Sequence, residues 1–465
     1  MFTRAKKYTI CALALLAPGV AWAQSTFGSF IGNVKDPSGA AVAQCIVTIK
    51  NTATGAERSV LTDAQGAYMA VNMEPSKYEI SMAAPGFEKK TFAGVELTAR
   101  QEIRIDGALS VAAQTQTVFV EGAAAPINTE VSNIAETKLG RELTDLPVAI
   151  GSRATGSTSA FATLTTQPGV EIDNNNNLSV AGSKPSMLSV SIDGISSVSP
   201  RNTAAIPELF PSFDGIAEIR VSEINNTAEF GGISDITTIS KSGTNAFHGG
   251  VYENNQNTAY DARNTFSTTV PKLDLNDFGG FLGGPVRLPK IYNGANKTFF
   301  YGDFEALRLP RQTVLVESVP SLALRSGDLS AYAGAIMNPL TGTPFPGNQI
   351  PTSQITPVAA NVLKYLFPLP NTGPANSLVN NYVSNFGVPI SSDQGDLRID
   401  QQITGNQTIF ARGTYKYKLG QTAPTGSPLA GPTLTPEHDY ALTVAHNWAI
   451  RPSIYNEIRA GLTGS

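Results

Sequence analysis

Histidine, cysteine and charge are all scarce in this 465-residue chain. It carries three histidines, two cysteines and a charged fraction of 15%, against about 25% for an average soluble protein. His248, His438 and His446 are widely spaced, so no zinc-peptidase set of clustered His and carboxylate ligands is legible. No G-x-S-x-G elbow, H-E-x-x-H or C-x-x-C occurs. The sequence therefore offers no catalytic, cofactor-binding or metal-binding residue, and the expectation is a protein that is not an enzyme. Acidic residues outnumber basic ones, 37 to 33, which argues against a nucleic-acid partner, since that asks for a basic stripe. Past the leader there is no apolar run of about 18 residues, so no helix is expected to cross a bilayer. A closed barrel is the other way across, because all its backbone groups pair between strands.

What fills the deficit is 42 Gly, 30 Pro and long Asn/Ser/Thr stretches. That composition suits an all-β, turn-rich, exported protein. Arg4, Lys6 and Lys7 precede an apolar stretch from Tyr8 to Ala17, and Ala21-Trp22-Ala23 is a small-x-small cleavage site. This is the layout of a secretory signal peptide over residues 1–23, with cleavage expected between Ala23 and Gln24. Cleavage removes Cys11 and leaves Cys45 alone, so no intramolecular disulfide is expected even in an oxidising compartment.

Residues 24–116 read as strands separated by turns. Asp36-Pro37-Ser38-Gly39, Asn51-Thr52-Ala53-Thr54-Gly55 and Thr62-Asp63-Ala64-Gln65-Gly66 are turn signals. Val42–Lys50, Lys77–Met82 and Gly94–Asp106 lie between and beyond them as strands. The run GNVKDPSGAAV, NTATG, TDAQGAY and YEISMAAPGF resembles the carboxypeptidase regulatory-like domain. That likeness implies a transthyretin/Ig-like β-sandwich and, despite the name, no peptidase. Similar sandwiches belong to carbohydrate-binding-like folds, but no surface platform of paired aromatics is legible here.

Thr117-Val118-Phe119-Val120-Glu121, opening a linker over 117–127, is a short β-prone run. It resembles a TonB box, which an energy-transducing partner would take up by strand addition; it reads equally as the last strand of the sandwich. From 128 to 245 the segments Leu143–Pro147, Leu164–Val170, Ser189–Ile195, Ile216–Val221, Glu229-Phe230-Gly231 and Lys241–Asn245 resemble, in order, the plug domain of TonB-dependent receptors. An α+β plug is implied. Two positions depart from the pattern: Asp235 is polar where the family strand is apolar, and Gly151-Ser152-Arg153 replaces the usual Asn-Gly-Arg. Asp193-Gly194 at a strand end reads as a turn-former.

From 246 to 465 the period is two. On Thr408–Lys418, Ile409, Ala411, Gly413, Tyr415 and Tyr417 share one face, and Thr408, Phe410, Arg412, Thr414 and Lys416 the other. Tyr440, Leu442, Val444, His446, Trp448 and Ile450 repeat the pattern. Such alternation belongs to a membrane barrel. Seven strands are expected near 246–256, 275–286, 297–308, 393–403, 407–418, 438–450 and 454–463, with a very long external loop over 310–391. DARN at 261, NDFGGFLGGP at 276, KTFFYGDFE at 297 and PFPGNQIP at 344 resemble the Oar-like barrel. The resemblance implies a mainly β chain of sandwich, α+β plug and incomplete transmembrane antiparallel β-barrel, in the cell outer membrane. It implies energised uptake of a large substrate, carbohydrate or peptide by family habit. The implied partners are the TonB energy-transducing complex, outer-membrane lipid and the barrel assembly machinery. Such receptors close at more strands than are visible here, so a fragment or truncated copy is expected. The alternative is a secreted or surface-attached carbohydrate-binding protein acting through its sandwich.

Overall fold

The computed structural model describes residues 25–111, 118–120 and 132–465, apart from 158, 174–176, 202–203, 227–231, 264, 266–269, 375–376 and 452–453. The expected leader with Ala23 and Gln24, the ends Thr117 and Glu121 of the β-prone run, and Glu229-Phe230-Gly231 lie outside the described residues.

The first unit holds β1 (Gly28–Lys35), β2 (Ile46–Asn51), β3 (Glu57–Leu61), β4 (Ala67–Met73), β5 (Ser76–Ala83), β6 (Lys90–Leu97), β7 (Glu102–Arg104), β8 (Gly107–Ala108) and β9 (Val118–Val120). They form two sheets, β4-β1-β7 with β8 beside β1, and β3-β2-β5-β6-β9. Alternate residues of β1 point inward, so Phe30 and Val34 meet Val47, Ile49, Tyr78, Ile80 and Met82 from the facing sheet. Each fully buried side chain of this size contributes about 1.5–3 kcal/mol. Two turns share one design. Asp36 accepts from the backbone of Ser38 and Ala40, both at 2.9 Å. Asp63 accepts from Gln65 and Ala67 at 2.8 and 2.9 Å. Gly39 and Gly66 then close the turns at φ +88° and +74°, which glycine adopts without steric cost.

In this first unit the structure differs from the sequence reading in two places. Gly94–Asp106 is not one strand: it breaks at Thr98–Gln101, where Arg100 has φ +60° and the Gln101 side chain accepts from the Thr98 N–H at 3.1 Å. The sandwich also extends past residue 116, because β9 adds to its edge parallel to β6, Val118 opposite Lys90.

The middle unit holds β10 (Ile134–Leu139), α1 (Gly140–Thr144), α2 (Pro147–Ala154), α3 (Phe161–Leu164), β11 (Val170–Ile172), β12 (Leu178–Val180), β13 (Leu188–Ile192), β14 (Ile195–Ser196), β15 (Ile216–Ile224) and β16 (Ser234–Ser240). Its sheet runs β10-β15-β16-β13-β14, with β11-β12 a separate hairpin. Its own core gathers Leu164, Val180, Val190, Phe210, Ile219 and Ile236. Central β16 is buried along its whole length although most of its residues are polar, so those side chains need partners.

The third unit is an open sheet of seven antiparallel strands. Its strands are β17 (His248–Asn257), β18 (Asp274–Pro285), β21 (Thr298–Leu309), β24 (Ile390–Thr404), β25 (Gln407–Thr422), β26 (Thr433–Arg451) and β27 (Ile454–Gly464). They lie within a few residues of the spans read from alternation. A small ribbon, β19 (Arg287–Leu288) with β20 (Tyr292–Asn293), precedes β21. The stretch expected as one long loop is built. β22 (Gln312–Glu317) pairs with β23 (Tyr382–Gly387), continuing the β21/β24 hairpin past Pro310. Beyond it lie α4 (Leu322–Arg325) and α5 (Pro357–Tyr365), tied where Arg325 donates to the carbonyls of Phe367 and Pro368 at 2.9 and 2.6 Å.

The pattern of this sheet is inverted relative to a water-soluble one. On β26, Asp439, Ala441, Thr443, Ala445, Asn447 and Ala449 are buried, while Tyr440, Leu442, Val444, Trp448 and Ile450 are exposed. On β24, Gln394, Asp396 and Arg398 are buried and Leu397 and Ile399 exposed. Charge faces the middle unit and hydrocarbon faces outward, as in a barrel strand set between lumen and lipid.

Candidate functional site

The site is the charged inner face of the open barrel, together with what covers it. Asp193 and Gly194 connect β13 to β14, with Ile192 opposite Ile195. Both turn residues have positive φ, +48° and +76°, the two-residue hairpin geometry that favours Asp-Gly. The turn-former reading of Asp193 therefore holds for its backbone, but its carboxylate does more. One oxygen accepts from Arg412 Nε at 2.6 Å and from the Ser240 hydroxyl at 2.9 Å. The other accepts from the Ser240 N–H at 3.0 Å and lies 3.4 Å from Arg398 Nη1. Arg459 donates to the Asp193 carbonyl. Burial by itself would raise the Asp193 carboxyl; Arg412, Arg398 and the two Ser240 bonds outweigh it and hold the group below the usual carboxylate range.

Register explains why the barrel wall needs such a partner. Arg398 on β24 stands directly opposite Arg412 on β25. Asp303 on β21 stands directly opposite Asp396 on β24. Like charges facing across a ladder destabilise it. The middle unit answers both pairs. Asp193 sits between the arginines, and Ser212 donates its hydroxyl to Asp303 and its backbone N–H to Asp396, the latter at 3.2 Å. A third contact reverses the roles: Arg153, at the end of α2, pairs with Asp277 at 3.3 Å and with Glu305, beneath the Phe213 ring at 4.2 Å. Lys418 reaches Glu208 at 3.0 Å.

The sandwich docks on the other side of the middle unit, through the turn that breaks Gly94–Asp106. The Ala99 N–H donates to Glu218 at 2.6 Å, and Arg220 donates to the Ala99 carbonyl at 2.8 Å. Arg100 pairs with Asp235 at 2.5 Å. Burial pushes the Glu218 carboxyl up to about 7, against the pull of the Ala99 bond and Arg220. Burial, with Arg100 beside it, lowers Arg220 to about 10. The sandwich also touches the barrel segment, where Arg459 donates to Thr26 at 2.7 Å and Thr408 to Glu74 at 3.2 Å, and the end of the middle unit, where Asn245 donates to the Thr54 carbonyl at 2.6 Å. Where the three units meet, a cavity of about 210 Å³ is lined by Glu74, Glu218, Asp193, Arg398, Ser240 and Phe410, among others.

Of the residues singled out in the sequence, Val118–Val120 lie on the sandwich edge, away from this face. His248 Nδ1 lies near the Ala246 carbonyl and the Thr244 hydroxyl, at 3.1 and 3.4 Å. No group of three or more metal-ligating side chains occurs among the described residues. Asp193, Asp235 and Arg153 were not singled out as site residues. For Asp235 the signal was present, since it is polar where the expected strand is apolar, and Arg153 is the one residue of Gly151-Ser152-Arg153 that keeps its place in the usual Asn-Gly-Arg. For Asp193 the local turn already accounted for the residue and hid its second role.

Comparison with known proteins agrees with this architecture. Residues 239–465 match the outer membrane beta barrel domain family, and residues 29–110 the carboxypeptidase regulatory-like domain family. The chain is 27% identical over 295 residues to the TonB-dependent transporter Oar of Myxococcus xanthus, covering 61% of this chain and 27% of that protein. It thus spans about a quarter of that relative's length. Among solved structures it is similar to the outer membrane transporter YddB from Escherichia coli, at 10% identity and TM-score 0.43, covering 70% of this chain and 38% of that one. A further likeness, to 3-chlorocatechol 1,2-dioxygenase from Rhodococcus opacus 1CP, has 12% identity and TM-score 0.16 and covers 19% of this chain and 61% of the enzyme.

Proposed function

Because the chain belongs to the Oar-like TonB-dependent receptors and lies in the outer membrane through its barrel segment, we propose that it serves energised uptake of a large external substrate. The observation that carries this reading is the inverted strand pattern. Strands β24, β25 and β26 expose an apolar face and bury a polar, charged one, and residues of the middle unit pair with that face. In this reading residues 128–245 are a plug. Cargo of carbohydrate or peptide class binds on the side of the β22/β23 extension, and TonB pulls on Thr117–Glu121 from the periplasm. Barrel assembly machinery delivers the strands to lipid. The edge position of β9 supports the proposal, because an edge strand is what strand addition to a partner's sheet requires. The sandwich-only alternative finds less support: its aromatic pair Phe30–Tyr78 packs edge-on at 5.2 Å inside the core and makes no sugar platform.

The test is disulfide trapping in cells. Phe119→Cys is expected to form an adduct with a cysteine-bearing TonB periplasmic domain. Cys45 is fully buried and does not compete. Val111→Cys, at an exposed position outside the run, is expected to give none. Absence of the Phe119→Cys adduct from protein present in the outer membrane would remove TonB coupling through this segment.

A further inference from the structure

We propose that Arg398 and Arg412 form a carboxylate-binding cradle on the inner barrel wall, filled by Asp193 at rest and open to a carboxylate of the cargo once the plug withdraws. The inference rests on the reading that the middle unit moves off the wall during uptake.

The two guanidinium groups come from neighbouring strands at directly opposed positions, and both are buried. Opposed arginines are unfavourable unless an anion lies between them. That anion is not part of the wall. It arrives on the tip of a two-residue turn belonging to another unit. The wall meanwhile keeps each arginine in position. Asp400, on the same strand as Arg398, takes its Nε at 3.0 Å and its Nη2 at 2.8 Å. The Thr414 hydroxyl accepts from Arg412 Nη1 at 2.6 Å. When Asp193 leaves, Arg398 retains a counter-ion and Arg412 loses its own. The cradle then carries one uncompensated positive charge in an orientation already fixed, and a site ordered in advance spends less free energy on ordering when it binds. Planar guanidinium groups match the two oxygens of a carboxylate, which a lysine pair would hold less selectively. The ligand carboxylate enters from the side the plug vacates.

The experiment uses the full chain in outer-membrane vesicles, with small carboxylates as probes. Asp193→Gly empties the cradle while keeping a residue suited to φ +48°. Acetate is expected to slow proteolysis of the middle unit in this variant, saturably and by about fivefold, the effect of roughly 1 kcal/mol. Acetamide is expected to do nothing, and neither the wild type nor Asp193→Gly combined with Arg412→Gln is expected to respond. If Asp193→Gly is not recovered in membranes, Asp193→Ser keeps a polar turn residue and withdraws the side chain from the arginines, and saturable broadening of the ¹³C-formate signal replaces proteolysis. Equal protection by acetamide, or no response to either carboxylate, overturns the cradle. Stronger protection by inorganic phosphate overturns its assignment to carboxylates. The titration uses neither TonB nor uptake. Its failure leaves the transport reading standing, and failure of the TonB adduct leaves the cradle standing.

Discussion

Arg153 holds two carboxylates at once. Its side chain is 3% exposed, as is that of Asp277, and that of Glu305 is 4% exposed. Removing one partner from a buried charge set strands the others, and such a loss costs about 3–5 kcal/mol. Arg153→Ala is therefore expected to loosen the middle unit from β18 and β21 by that amount, read as a lowered urea midpoint for its protection from protease. The same principle gives the control. Arg153→Met combined with Asp277→Asn and Glu305→Gln removes all three charges together and is expected to recover most of the loss. Recovery no better than the single variant would show that stranded charge is not the cause of the loss.

Strand β26 shows how one element serves two solvents. Val444 and Ile450 are both on its exposed face, but Val444 lies mid-strand and Ile450 is one residue from the strand end. An arginine on the outer face of a membrane strand costs about 2–4 kcal/mol at the bilayer midplane and about 0–1 near the interface. Val444→Arg is thus expected to lower stability in lipid vesicles by several-fold more than Ile450→Arg, measured by urea titration. Equal costs would mean that this face does not meet hydrocarbon. At this scale most of the fold was legible. Period-two alternation located all seven strands, because lumen and lipid impose opposite demands on successive residues. It did not locate the β22/β23 ribbon, whose residues are mostly half-buried with none fully buried and so leave no two-sided pattern.

At the scale of the whole molecule, the three units are joined largely by polar and charged contacts, and one of the groups involved titrates near neutrality. Docked Glu218 sits at about 7 against an ordinary value of 4.5. The docked state therefore holds a proton that the undocked state has released over that interval. Its contribution to docking is greatest below about pH 4.5, falls as pH rises toward about 7, and is constant above, with a total of about 3 kcal/mol. Asp235, raised mainly by burial, acts in the same direction, while Arg220, at about 10, keeps its charge throughout. Arg100 is paired with Asp235, and Glu96 adds to the upward push on Glu218. Protease access to the Thr98–Gln101 turn is expected to rise between pH 4.5 and 7. Glu218→Gln is expected to flatten most of that rise, and an unchanged profile in this variant would assign it elsewhere. The open sheet sets a further condition at this scale. The outer edges of β17 and β27 need partner strands before the sheet can lie in hydrocarbon, where unpaired backbone groups are costly.

The sequence by itself determined most of the strands, most of the turns and the order of the three units. Those follow from local rules: side-chain alternation, Asp and Gly at positive φ, and the spacing of short motifs. Only the tertiary structure decided that Asp193 serves two arginines across a unit boundary, that Asp235 belongs to Arg100, and that Arg398 faces Arg412. Each of these pairings joins residues more than ten positions apart through strand register or docking, and none can be read from one segment alone. A buried charge is costly wherever it lies, and only its partner's position shows why it is kept.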